Sequence, residues 1–92
     1  MVNITVSFYP PFSNYTKKKK AEYSLQDGTR FIDLITQLIN SFPQLKEMIP
    51  DLNDECIFYN NVFPVINNSL ASQNEILNEG DNIMLFGSIS GG

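Results

Sequence analysis

Few residue types in this chain could do chemistry. There is no histidine among the 92 residues, which removes Ser-His-Asp and Cys-His nucleophilic catalysis and any zinc site that needs imidazole. The one cysteine, Cys56, can form neither an internal disulfide nor a thiolate cluster. It sits in an apolar run without an obvious basic neighbour, so it reads as an inert buried thiol rather than a redox or sulfur-transfer nucleophile. Asp51, Asp54 and Glu55 are close in sequence but lack a metal-loop pattern, so they read as a solvated turn and no metal is expected. The chain contains neither Gly-x-x-x-x-Gly-Lys-Ser/Thr nor Gly-x-Gly-x-x-Gly, so it is not expected to bind ATP, and no cofactor is expected. What remains is the end of the sequence, Ile89-Ser90-Gly91-Gly92. A carboxylate on a Gly-Gly end carries the least steric bulk possible, so an enzyme could thread it through a narrow channel and attack the terminal carbonyl without meeting a Cβ. The plain alternative is a frayed end.

Composition narrows the class further. With 42 % apolar and 17 % charged residues the chain reads as one globular domain. Six Lys plus Arg against ten Asp plus Glu give a net charge of −4, which argues against a nucleic-acid binder. No run approaches a membrane span, and Met1–Phe8 lacks the basic start and apolar run of a signal peptide, so a cytoplasmic setting is expected. Lys17–Lys20 is the only biased run and reads as a solvated hairpin turn, with contact to an acidic partner as the alternative.

The elements that would position the tail follow from periodicity. Val2, Ile4, Val6 and Phe8 alternate with polar residues, which predicts a strand ended by Pro10-Pro11. Asn14–Lys19 reads as a turn and Ala21–Leu25 as a second strand of the same hairpin. Phe31, Leu34, Ile35, Leu38, Ile39 and Phe42 form one stripe of an amphipathic helix, capped by Thr29 and stopped by Pro43. Leu45 to Leu52 predicts a short further turn of helix. Cys56–Tyr59 reads as a third strand followed by a turn at Asn60-Asn61, and Val62–Ile66, interrupted by Pro64, as at best an edge strand. Asn67–Glu79 is polar, with Leu70, Ile76 and Leu77 as anchors; Gly80 turns the chain at positive φ into a last strand, Asn82–Phe86. The order predicts an α+β fold: a mixed four- to five-stranded sheet with one main helix across one face, the β-grasp or ubiquitin-like arrangement. Residues 1–86 form the expected domain and 87–92 a flexible tail reaching up to ~20 Å.

The segment from Glu79 to Gly92, Glu-Gly-Asp-Asn-Ile-Met-Leu-Phe-Gly-Ser-Ile-Ser-Gly-Gly, resembles the C-terminus of the MoaD/ThiS sulfur-carrier family. There an acidic residue, Gly-Asp and a polar residue precede an apolar strand, two small or Pro residues, an aliphatic, a small residue and Gly-Gly. Upstream, Tyr59-Asn60-Asn61-Val62 looks like that family's β-strand and turn, and Val2–Phe8 looks like its first strand. One departure is Gly87-Ser88, where many members have Pro-Pro. Another is extra length at Pro10–Lys20 and Asn67–Gln73, which favours the molybdopterin-synthase small subunit or a protein-modifier relative over the compact thiamine-pathway carriers.

The resemblance implies a carrier rather than an enzyme. A ubiquitin-activating-type enzyme adenylates the Gly92 carboxyl with ATP, a persulfide donor converts it to a thiocarboxylate, and the larger molybdopterin synthase subunit receives the tail, with Ile89, Ser90 and Gly91 threading into the partner. The alternative implied by the same tail is a ubiquitin-like modifier joined through Gly92 to target lysines. A plain binding module is the third reading. On the last strand, Ile83 and Leu85 point one way and Met84 and Phe86 the other, so one pair faces the helix and the other forms an apolar patch. Phe86, with Met84, is expected to be the outward partner-binding anchor; the alternative is that Phe86 caps the core's open edge.

Overall fold

The computed structural model describes residues 1–87. Strand β1 (Val2–Phe8) buries Ile4, Val6 and Phe8 and pairs antiparallel with β2 (Lys20–Leu25), Val2 opposite Leu25 and Val6 opposite Ala21. The connection is not the plain turn expected over Asn14–Lys19. It holds a short helix, α1 (Phe12–Thr16), closed by Lys17 at φ 61°. Phe12 and Thr16 are buried one turn apart, and a pattern of one apolar residue and one threonine is too short to register as periodic.

Helix α2 (Phe31–Ser41) buries Phe31, Leu34, Ile35 and Leu38 as the stripe predicts, and stops before Pro43. Its cap is Arg30 rather than Thr29. The Thr29 hydroxyl is engaged in the preceding turn, donating to the Gln26 carbonyl at 2.7 Å. The Asp33 carboxylate instead accepts the Arg30 N–H at 3.0 Å. The next two N–H groups, of Phe31 and Ile32, donate to the carbonyls of Glu75 and Gln73 at 2.8 and 2.9 Å, so the long polar loop satisfies donors the helix itself cannot. A 3₁₀ turn (Pro43–Glu47) follows and buries Leu45.

Cys56–Tyr59 is not a strand. It belongs to helix α3 (Glu55–Asn61), whose N-cap Asp54 accepts the Ile57 N–H at 3.2 Å. A four-residue apolar run fits strand or helix equally; here a capping carboxylate and a single buried residue, Phe58, decide for helix. Cys56 is therefore exposed rather than buried. Asn60-Asn61 ends this helix, and the left-handed asparagines are Asn67 and Asn68, at φ 49° and 73°.

Strand β3 (Val62–Ile66) is flanked on both sides, by β5 (Asn82–Gly87) and by the two-residue β4 (Ser69–Leu70), contrary to the edge-strand reading. Pro64 is tolerated for a geometric reason. It stands opposite Leu85, whose carbonyl turns the other way to accept the Tyr9 N–H at 3.1 Å. The Pro64 nitrogen thus faces away from β5, toward Ala71, which donates its N–H to the Pro64 carbonyl at 2.9 Å and whose own carbonyl accepts the Tyr59 hydroxyl at 2.7 Å in place of the missing donor. Of the expected loop anchors only Leu77 is buried; Leu70 and Ile76 are exposed.

The sheet runs β2-β1-β5-β3-β4, with β5 parallel to β1 and antiparallel to β3. The turn before β5 sets its register. Gly80 sits at φ 82° and donates to the Asn3 carbonyl at 2.8 Å, while Thr5 donates to the Asp81 carbonyl at 3.0 Å. The Asp81 carboxylate accepts the Asn78 N–H and the Asn67 side-chain amide, both at 2.8 Å, tying this turn to the one after β3. One face of the sheet buries Ile4, Val6, Ile83 and Leu85 in the core that also takes in the α2 stripe and Phe58.

Candidate functional site on the helix-free sheet face

Strand β5 is the third of the sheet's five strands, between β1 and β3. The alternation along β5 sorts its residues. Ile83 and Leu85 are buried; Met84 and Phe86 are half-buried on the opposite, helix-free face. Gly92, Gly91, Ser90 and Ile89 lie outside the described residues.

Around Phe86 the register assembles an aromatic row. Tyr9, just past the end of β1, stacks on Phe86 with ring centroids 4.3 Å apart and planes at 13°. Phe63 of β3, directly opposite Phe86, stands perpendicular to it, with ring centroids 6.4 Å apart and planes at 90°. One step further from the exit, Met84 lies between Ser7 of β1 and Val65 of β3, and Val65 pairs with Leu70 of β4. Phe63 is 52 % exposed and Leu70 60 %. This half of the face is an apolar surface with no covering element among the described residues.

Beyond Met84 the face turns polar. Asn82 follows on β5, then Thr5 and Glu22 across β1 and β2, and the Ser24 hydroxyl donates to Asn3 at 2.6 Å. The Glu79 carboxylate accepts the Asn3 N–H at 2.8 Å. The face is therefore graded, aromatic at the end where β5 leaves and hydrogen-bonded polar at the other. Lys17–Lys20 stand exposed beyond the β1 flank, Lys20 opposite Ser7.

At the exit itself Gly87, paired with Val62, passes against Pro11. A Cβ built at position 87 would collide with Pro11 Cδ, so glycine is needed here for close approach rather than for a turn. Among the described residues no group of three metal-ligating side chains converges, and no helix is long and apolar enough to cross a membrane.

Sequence reasoning missed Tyr9 and Phe63. Tyr9 falls in the polar parity of β1, and Phe63 belongs to a segment whose pairing Pro64 obscures. A usable signal was present: an aromatic two residues after Ser7 in β1's outward series, and another two before Val65 in β3's. Joining them to Phe86 requires the register, which is a long-range property.

No family model matches the chain, and no curated protein matches its sequence. Solved structures do. The putative molybdopterin converting factor subunit 1 of Pyrococcus furiosus superposes with a TM-score of 0.79 at 23 % identity, covering 97 % of this chain and all of that one. This chain is a β-grasp protein. The small archaeal modifier protein 1 of Haloferax volcanii gives 0.79 at 16 % identity over 98 % of this chain and 99 % of its own. The protein of the same name from Methanosarcina acetivorans gives 0.77 at 22 % over 100 % and 98 %. The match covers 97 to 100 % of this chain and 98 to 100 % of those structures, so the small domain is the entire similarity.

Proposed function

We propose that this β-grasp protein is a MoaD/ThiS-type sulfur carrier, adenylated and thiocarboxylated at the carboxyl of Gly92 and donating sulfur in molybdopterin biosynthesis in the cytoplasm. The observation that carries the reading is the placement of β5, which runs up the centre of the sheet past the Tyr9–Phe86–Phe63 row and directly precedes the Ser-Ile-Ser-Gly-Gly sequence. A carrier needs such an arrangement: a rigid domain with a partner-binding surface beside a narrow, bulk-free end.

The division of labour follows from the chemistry. A carboxylate is a poor electrophile. A ubiquitin-activating-type enzyme supplies ATP, the Gly92 carboxylate attacks its α-phosphorus, and pyrophosphate leaves. A persulfide then displaces adenylate, and reduction of the resulting acyl disulfide by a thiol of the sulfur-donor system leaves the thiocarboxylate. The domain's residues take no part in these steps. Phe86 and Met84, with Tyr9 and Phe63, hold the partner, while Ile89, Ser90 and Gly91 pass through its channel. The larger molybdopterin synthase subunit would use the same surface after activation.

A second reading is a ubiquitin-like modifier joined through Gly92 to lysines of target proteins. The similarity to two proteins named as small archaeal modifiers favours it. The two readings share the adenylation step and part afterwards. Incubation with an activating enzyme, ATP and a sulfide source, followed by intact-mass analysis, is expected to show a gain equal to the difference between sulfur and oxygen, located at Gly92. The carrier reading further expects a stable complex with a pterin-processing subunit; covalent adducts to cellular proteins without that complex would favour the modifier. Deletion of Gly92, or one residue added after it, is expected to abolish adenylation at unchanged melting temperature. Normal activation of the extended chain without trimming would remove both readings and leave a plain binding module.

A further inference from the structure

We propose that the free edge of β2 is a self-association surface, pairing antiparallel with the same edge of a second copy about a two-fold axis at Ala21. Among the described residues β2 has β1 on one flank and no strand on the other. The Phe8 N–H donates to the Lys19 carbonyl at 2.8 Å, which fixes the alternation: Lys19, Ala21, Tyr23 and Leu25 turn their backbone groups to β1, and Lys20, Glu22 and Ser24 turn theirs to solvent. The side chains of these three outward residues are all exposed. The edge is thus a row of unpaired donors and acceptors carrying a lysine, an acid and a serine in order.

Lysine at a sheet edge ordinarily deters another strand. Here the deterrent is selective. Two copies related by an axis at Ala21 place Lys20 opposite Glu22 of the second copy and Glu22 opposite its Lys20, two opposite-charge cross-strand pairs. A shift to the next hydrogen-bonding register on either side puts Glu22 against Glu22 or Lys20 against Lys20, and like charges directly opposite are destabilising. Charge therefore selects one register. In that register Lys19 faces Tyr23 of the copy, while Lys18, before β2 begins, keeps its backbone N–H and carbonyl on the Thr16 hydroxyl and stays out of the pairing. An acidic peptide would match the lysine end of the edge but meet Glu22 in its middle, whereas a second copy complements both.

One strand pair is a small contact, below the class of permanent interfaces, so the dimer is concentration-dependent. It lies across β1 from the aromatic row and does not depend on the carrier reading.

The test is sedimentation of the full chain up to about 1 mM, enough to register a dissociation constant in the hundreds of micromolar. The unmodified protein is expected to dimerise, and Lys20→Glu and Glu22→Lys are each expected to be monomeric with unchanged circular dichroism. An equimolar mixture of the two variants is expected to form a heterodimer, and the double variant Lys20→Glu/Glu22→Lys to dimerise again. A chain monomeric at every concentration would overturn the proposal. So would single variants that dimerise as the unmodified protein does, or a mixture that stays monomeric.

Discussion

The ring of Phe86 lies flat on that of Tyr9, and Phe63 stands perpendicular to it from the neighbouring strand. An outward-facing aromatic held in this way is rigid before any partner arrives, which lowers the ordering cost of binding. Phe86→Asp is expected to keep the fold, because Ile83 and Leu85 carry β5's share of the core. The lost ring contacts would cost about 1–2 kcal/mol of stability. Binding to the proposed activating enzyme is expected to fall by ~2 kcal/mol or more, since a carboxylate in a buried interface must also be desolvated. Thermal melting beside calorimetric titration separates the two effects. An unfolded variant would make Phe86 a cap on the core.

Helix α3 rests on one capping carboxylate. Asp54→Ala removes the acceptor of the Ile57 N–H and is expected to cost about 1 kcal/mol, as N-cap losses typically do. Asp54→Ser, which retains an acceptor, is expected to recover most of it. Chemical denaturation of the three proteins measures the series, and equal stability of all three would contradict a helix starting at Glu55.

Cys56 lies on the surface of that helix. A thiol reagent is expected to modify the folded protein with single-phase kinetics that do not slow as the fold is stabilised. Cys56→Ser is expected to change stability by no more than about 0.5 kcal/mol, as surface substitutions usually do. Protection until denaturant is added would restore the buried reading.

Asp33 gives the stability a dependence on acid. Its carboxyl is held below the usual aspartate range, chiefly by the hydrogen bond from the Arg30 N–H, then by those from the Arg30 side chain. A carboxyl depressed on folding contributes above its unfolded pKa, ~3.9 for an aspartate, and loses that contribution as pH falls through the lower folded value. Asp33→Asn is therefore expected to be less stable than the unmodified protein at neutral pH, with the gap closing below about pH 4. Denaturation curves across that range would show it; a gap independent of pH would mean the charge of Asp33 contributes nothing.

What could be read from residues alone divides along physical lines. The α2 stripe, the alternation of β1 and the Gly80 turn were legible because each is a local pattern long enough to have a period or a conformational demand only glycine meets easily. Cys56–Tyr59 was misread because four apolar residues carry no period, and the deciding cap at Asp54 looked like part of an acidic turn. Thr29 was a plausible cap defeated by its own preceding turn, where the Gln26 carbonyl claims the hydroxyl. Pro64 was read correctly as lacking a donor, but not as facing a carbonyl, that of Ala71, which the Tyr59 hydroxyl satisfies instead. The orientation of Phe86 followed from alternation, whereas its neighbours Tyr9 and Phe63 required the pairing of three strands distant in sequence.

The fit of Gly87 against Pro11 makes these two positions a hereditary pair. A related sequence that acquires a side chain at 87 must give up the proline at 11 or move the strand away from it. Substitutions at the two sites are therefore expected to covary. The shape of the exit is written jointly into both ends of the chain.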